Sequence, residues 1–384
     1  MQRRPTFHFV DERSVEVEGH WLRDDADLGS LAGELLQGIR GDMDWSVAEG
    51  SIWHTICERW HRGFISLLTE RDVSGLAQAL AGMHQLPLLK GIDQSRDESA
   101  RYREDEAQRS HFLLEVKSLL VRLAEALGLL GLEVDPRYGP LRNIYLPVGE
   151  IVGRLEEHLG IEIAPPAVGN GRFGLRVGHN AVLTNRDLYA LYLASRCRQL
   201  AARWRRPPEA VRILEIGGGM GRLALYLRRM GFRHVTLIDL PQISLVQAYF
   251  LRRSVGGSVT FGRGAVAGGD GVQVVTQMAA LAAAPDRRFD IVVNADSMPE
   301  MGWSVATEYV RSIRRTCRGV FLSANQESRK QISHEGSTHA VVAEIVREVG
   351  GFERAYRFPF WLRRGYVEEL YEVIDGLPSE PRGR

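Results

Sequence analysis

Cysteine is scarce in this 384-residue chain: Cys57, Cys197 and Cys317 are odd in number and far apart. No C-x-x-C pair occurs, which argues against a disulfide framework or a thiolate zinc site and places the protein in a reducing, cytosolic setting. Lysine is equally rare, with Lys90, Lys117 and Lys330 the whole supply. The other basic residues are scattered arginines; 49 Lys and Arg offset 48 Asp and Glu, for a formal net charge of +1. Such a balance offers no basic stripe to nucleic acid or to an anionic membrane, so neither is expected as a partner. Long apolar runs are missing as well. The opening MQRRPTFHFVDERSVEVEGHW has no sustained apolar segment, and no later run reaches the ~18 uncharged residues of a membrane helix. A soluble, unexported, cytoplasmic protein is the expectation.

What is present is enough apolar material, 44% of residues, for two cores and hence two domains, 1–205 and 206–384. Helical periodicity dominates the first. In SIWHTICERWHRGFISLLTE, Ile52, Ile56, Trp60 and Phe64 recur every four residues, and HFLLEVKSLLVRLAEALGLLG repeats the pattern and stops at glycines. These amphipathic helices are expected to cover an acceptor pocket and to offer a surface for homo-oligomerisation. The charged run GIDQSRDESARYREDEAQRS between them reads as a solvated face. RFGLRVGHNAVLT predicts a hairpin around Gly178-His179-Asn180. Thr184 and Asp187 then form a capping box that opens the helix LYALYLASRCRQLAARW, and the prolines of RRPPEA end it and form the linker.

Beyond residue 205 strands and helices alternate. VRILEI leads to GRLALYLRRMG, HVTLIDL to ISLVQAYFLRRS, FDIVVNA to VATEYVRSIRRTC, and GVFLSAN to STHAVVAEIVREVG. Repeated βα units of this length predict an α/β fold, a Rossmann-like doubly wound and mainly parallel sheet, preceded by the mostly helical N-terminal domain. The third strand is open between SVTFG and GVQVVTQM. At the end, GFERAYRFPF and YVEELYEVID are joined by a link too short for a crossover, which predicts one antiparallel strand around residues 366–374 near the sheet edge.

The stretch ILEIGGGMGRLALYL packs Gly217, Gly218, Gly219 and Gly221 into five positions where a buried strand turns into a helix. Bare backbone there permits unusual dihedrals and close approach of a ligand. Gly219, Gly221 and Ala224 also satisfy G-x-G-x-x-A, with Asp239 twenty residues past Gly219 as a ribose acceptor, so a nicotinamide dinucleotide is one reading. Glu215 weighs against it. A pyrophosphate beside that carboxylate meets like-charge repulsion of order 1–4 kcal/mol at ~4 Å. S-adenosylmethionine, carrying ammonium and sulfonium but no phosphate, is attracted instead.

LEIGGGMG matches the E-x-G-x-G-x-G motif of class I S-adenosylmethionine-dependent methyltransferases. EIGGGMGRLALYL, LIDLP, NADSMPEM and LSAN, in that order, resemble the sugar O-methyltransferase family of bacterial biosynthetic clusters, over roughly residues 210–330. That family usually has Ser-Phe before its Glu-Met pair, whereas Ser297 is followed here by Met298 and Pro299. The resemblance implies S-adenosyl-L-methionine as cofactor and O-methylation of a sugar or glycosylated small metabolite in bacterial biosynthesis. Acceptor residues are expected at the carboxyl ends of the later strands. Cofactor contacts are assigned to Glu215, Gly217, Gly219, Gly221, Asp239 and Asn294, acceptor contacts to Ser297 and Asn325, and the catalytic base to Glu300 or His334. No metal is expected: His54 and His61 share a helix face without carboxylates to complete a set, and Asp296 with Glu300 do not make a site. There is no G-x-S-x-G elbow and no Asn-Pro-Pro-Tyr type of motif. A non-sugar O or N acceptor, an NAD(P)-dependent oxidoreductase and a non-catalytic S-adenosylmethionine-binding protein stay open as alternatives.

Overall fold

The computed structural model describes residues 6–10, 16–18, 27–39, 45, 47, 51–131, 142–169, 172–177, 181–256, 258–262, 269–276, 278–329 and 338–374. The N-terminal part holds strands β1 (Thr6–Val10) and β2 (Glu16–Glu18) and helices α1 (Leu28–Gly38), α2 (Ile52–Ile56), α3 (Arg62–Thr69), α4 (Val73–Ala81), α5 (Arg96–Glu104) and α6 (Glu106–Ala126). Strand β3 (Arg142–Leu146), helix α7 (Val148–Leu159), the hairpin β4 (Phe173–Val177) and β5 (Ala181–Leu183), and helix α8 (Asn185–Arg203) complete it. β4 and β5 pair antiparallel, as the alternation around their turn predicts; the turn itself, 178–180, lies outside the described residues. The capping box of Thr184 and Asp187 is formed at the start of α8.

Between α2 and α3 the helix widens into a π-helical turn, Cys57–His61. A strict four-residue apolar repeat drifts by ~40° per step on an α-helix, and the wider turn absorbs the drift. It buries Cys57 and His61 while Glu58 and Arg59 stay exposed. The charged run after α4 is not a uniformly solvated face. Asp93, Gln94, Ser95 and Ser99 are buried, and Asp93 and Gln94 meet partners elsewhere in the chain. The Gln94 side chain, for example, donates to the Phe173 carbonyl at 2.6 Å and accepts from the Phe173 N–H at 2.7 Å.

The second part contributes β6 (Arg212–Ile216), α9 (Arg222–Arg229), β7 (His234–Ile238), α10 (Pro241–Val255), β8 (Val259–Phe261), β9 (Gly271–Val275), α11 (Met278–Ala282), β10 (Phe289–Ala295), α12 (Trp303–Thr316), β11 (Cys317–Gln326), α13 (Val342–Val349), β12 (Phe352–Pro359) and β13 (Tyr366–Val373). They form one eight-stranded sheet of order β12-β13-β11-β10-β6-β7-β9-β8. All neighbouring pairs are parallel except the two made by β13, which sits one strand in from the edge. Both candidates for the third strand are strands: fully buried GVQVV takes the inner position, and the three-residue β8 takes the edge. The last helix starts later than STHAVV predicts. The Ala340 N–H is committed to the Pro299 carbonyl at 2.9 Å, which ties this segment to the turn after β10.

Strand alternation supplies two apolar faces. Ile213, Val235, Val272 and Ile291 look toward α8, α9 and α10, and their cluster runs without a break into Leu35, Phe64 and Leu120 of the N-terminal helices. Leu214, Ile216, Val275 and Val292 look toward α12 and α13. The strand order reverses between β6 and β10. A crevice opens at the carboxyl ends of strands at such a switch point.

Candidate functional site

A cavity of about 650 Å³ occupies that crevice. Its floor is the turn after β6. Gly217 and Gly219 there have φ of 70° and 55°, in the left-handed region that disfavours side chains. A Cβ on Gly217 would also collide with Ser297 Oγ, so the first glycine is required by the next loop as much as by any ligand. The Gly219 N–H donates to Asp239 Oδ2 at 3.0 Å, which fastens the turn to the end of β7.

Two carboxylates flank this turn. Asp239 also accepts from the Leu240 N–H at 2.8 Å and from Gln247 Nε2 at 3.0 Å. Burial nevertheless raises it to about 7, against the pull of those three bonds. Glu215 is pushed up to about 8, by burial first and by the Asp239 charge second, and its Oε2 is buried with no hydrogen-bond partner. Both groups are more acidic in the unfolded chain, so each favours the folded state fully below about pH 4 and loses that contribution as pH rises through 7 to 8. Ligand-free protein should therefore lose several kcal/mol of stability between pH 5 and 8.5, and Glu215→Gln should flatten much of that slope. Urea unfolding across the range checks this; an unchanged slope in the variant would show that Glu215 is not strained by burial.

The opposite wall comes from distant parts of the chain. Asp296, just after β10, is a non-glycine residue with φ of 63°, the kind of backbone that persists only when over-determined by its surroundings. Its carboxylate accepts from Arg186 of α8 at 3.1 Å and from Arg363 and the Tyr366 hydroxyl. Burial acts to raise it, yet Arg363 and Arg186 hold it below the usual carboxylate range. Glu300 sits beside it and accepts from the Trp53 indole N–H at 3.1 Å. It is raised to about 7, by burial first and then by the Asp296 charge, against Arg186, Trp53 and Arg363.

Beneath the glycine turn lies a buried lattice of four charges. Arg222, the first residue of α9, donates to Asp187 at 2.5 Å and to Asp93, while Arg172 donates to Asp187 at 2.5 Å and to Thr184 Oγ1 at 2.6 Å. Burial works to raise both aspartates, but the two guanidinium groups keep both below the usual range. The lattice ties the segment carrying Asp93 to the turn, and Ile92 lies over Gly219.

Of the residues expected from sequence, Glu215, Gly217, Gly219, Asp239, Ser297 and Glu300 line the cavity. Gly221 does not; it caps α9 behind the wall, against Leu251. Asn294 and Asn325 do not line the cavity either. Strand alternation turns Ala295 and Ala324 to the cavity, and the two amides bond to each other at 2.9 Å within the sheet. Asn294 also donates to the Ile216 carbonyl at 2.9 Å, so it braces β6 and contacts no ligand space. His334 lies outside the described residues. Trp53, Ile92, Arg186, Arg363 and Tyr366 line the cavity without having been singled out, since no local motif marks them. Among the described residues no cluster of three or more His, Cys, Asp or Glu is arranged to hold a metal, and no helix is long and apolar enough to cross a membrane.

Sheet order, switch-point cavity and glycine turn together define a Rossmann-like α/β fold. No family model matches the chain, and no curated protein matches it in sequence. Solved structures similar to it include the PH0226 protein from Pyrococcus horikoshii OT3, 13% identical over 48% of this chain and 91% of that one, with a TM-score of 0.36. Others are a SAM dependent methyltransferase from Aquifex aeolicus, at 15% identity over 46% and 88% with a TM-score of 0.33, and magnesium protoporphyrin IX methyltransferase (ChlM) from Synechocystis PCC 6803 with bound SAH, at 12% over 50% and 86% with a TM-score of 0.36. Likeness of this order carries no argument about what the chain does.

Proposed function

We propose that the protein is an S-adenosylmethionine-dependent methyltransferase whose acceptor is a hydroxyl of a small molecule, a sugar or glycosylated metabolite. The observation that carries this reading is the Glu215 carboxylate, buried at the glycine turn with one oxygen unpartnered and with Asp239 as its neighbour. Two carboxylates held near neutrality by burial suit a ligand that brings a cation and hydroxyl groups, and they oppose a pyrophosphate. Glu215 takes the ammonium group, and the lone pairs left on Asp239 accept from the ribose. Bound there, S-adenosylmethionine supplies an electrophilic methyl group. At the other wall Glu300, with its affinity for protons matched to neutral pH, takes up the hydroxyl proton as the acceptor oxygen is alkylated. Asp296, Arg186 and Arg363 hold the surrounding wall in place.

Titration calorimetry tests the placement. Glu215→Gln and Asp239→Ala should each weaken S-adenosylmethionine by roughly 1.5–3 kcal/mol, the range for hydrogen bonds to charged groups, while NAD should give no heat with the parent protein. Unchanged affinity in both variants, or tight NAD binding, overturns the proposal.

A further inference from the structure

The helical N-terminal part reaches Glu300 itself through a hydrogen bond from α2. The Trp53 indole N–H donates to Glu300 Oε2 at 3.1 Å, across 247 residues of chain, and both side chains line the cavity. Trp53 stands on α2, a helix of five residues fixed from outside itself. Ser51 accepts from the His54 N–H at its start. At its end the π-helical turn brings Cys57 and His61 against α10, where Gln242 Nε2 donates to Cys57 Sγ at 3.2 Å and lies 3.3 Å from His61 Nδ1. The Trp53 ring also tilts against the His61 ring, with centroids 6.1 Å apart. A continuous set of contacts thus runs from α10, which follows the strand end carrying Asp239, through the π turn to Trp53 and on to Glu300.

We propose that Trp53 is a positioning residue for methyl transfer: its N–H holds one carboxylate oxygen of Glu300 and leaves the other to the acceptor hydroxyl, so that the base is set only when α2 is docked. This rests on the reading of Glu300 as the base. An indole N–H is a donor only; it cannot take a proton from Glu300, and it bonds the carboxylate more strongly than the neutral acid. It also fixes the carboxylate plane, and a general base held within hydrogen-bond reach of a hydroxyl works by that geometry. The charged and titratable groups facing Glu300 from the other elements are Asp296 after β10, Arg186 of α8, Arg363 in the turn before β13, and Tyr366 of β13. Among them Asp296 disfavours the ionised carboxylate and the two arginines favour it, and none of them changes when Trp53 is replaced. Removing the Trp53 N–H therefore shifts Glu300 in one direction, upward.

Carboxyl NMR of the full-length protein labelled with ¹³C-glutamate tests this without an acceptor, with the Glu300 signal assigned by its loss in Glu300→Gln. The parent signal should titrate near 7, and Trp53→Phe should raise the midpoint by about one unit. If Trp53→Phe lowers the thermal midpoint, benzothienylalanine at position 53, which keeps the ring shape and lacks the N–H, replaces it. Calorimetric affinity for S-adenosylmethionine should stay unchanged in either variant. A Glu300 midpoint that stays put in a folded variant without the N–H overturns the positioning role. Failure of Glu300→Gln to slow turnover overturns the base itself, a separate result that the NMR titration does not produce.

Discussion

If the proposed methyl transfer rests on Glu300, Glu300→Gln should lower it by at least about a hundredfold, with S-adenosylmethionine affinity close to that of the parent protein. General bases contribute typically 10²–10⁴ in rate, and losing one leaves ground-state cofactor binding nearly intact. The amide keeps the size of the side chain and its bond to Trp53 through the carbonyl oxygen, but cannot accept the acceptor's proton. The pH profile carries a second sign. Only the ionised carboxylate acts as a base, so parent turnover climbs as pH rises through about 7 and then levels, whereas the residual rate of the variant shows no such limb. Turnover is read as S-adenosylhomocysteine released with a hydroxylated sugar that the parent protein methylates. A variant that keeps more than a third of the parent rate would move the chemistry away from Glu300, with His334 next to be replaced.

Arg222→Met should unfold at much lower urea, losing roughly 3–5 kcal/mol, the cost of breaking a buried charge pair by removing one partner. The guanidinium of Arg222 is almost fully buried, serves Asp187 and Asp93 at once, and stacks 5.6 Å from the centroid of Phe250. Methionine fills comparable volume, so the loss reports charge and not a cavity. Without Arg222 two buried carboxylates share Arg172 alone, and Asp93 and Asp187 must shed charge by taking up protons. Destabilisation should therefore shrink as pH falls toward 4, where protonated aspartates no longer need the arginine. A loss under about 1 kcal/mol at neutral pH would mean that the lattice is loosely held.

The alternation of strands and helices was legible because each βα unit announces itself locally, and the antiparallel β13 because a six-residue link leaves no room for a crossover. The glycine turn with Glu215 and Asp239 was legible for the same reason: strand end, bare backbone and the next strand's acid lie within twenty-five residues. The placement of Asn294 and Asn325 away from the cavity was not legible, because a strand shows which residues alternate but not which set faces the crevice, and β10 and β11 give that side to the alanines. Asp93 looked like one more solvated acid in a charged run, since its partner Arg222 lies 129 residues further on. Trp53 carried no signal of its own, being one aromatic residue on an amphipathic helix.

The four-charge lattice also sets how this chain can change over generations. Asp187 caps α8 and holds Arg222; Asp93 holds Arg222 from a segment on the far side of the linker. Losing Asp93 leaves one positive charge in excess under the glycine turn and losing Arg222 leaves one negative charge in excess, so a change at one position calls for a change at another. The segment around Asp93 and the turn after β6 are thus bound to each other by charge. Residues 206–384 joined to a different N-terminal part should fold stably only if that part brings its own acid to meet Arg222.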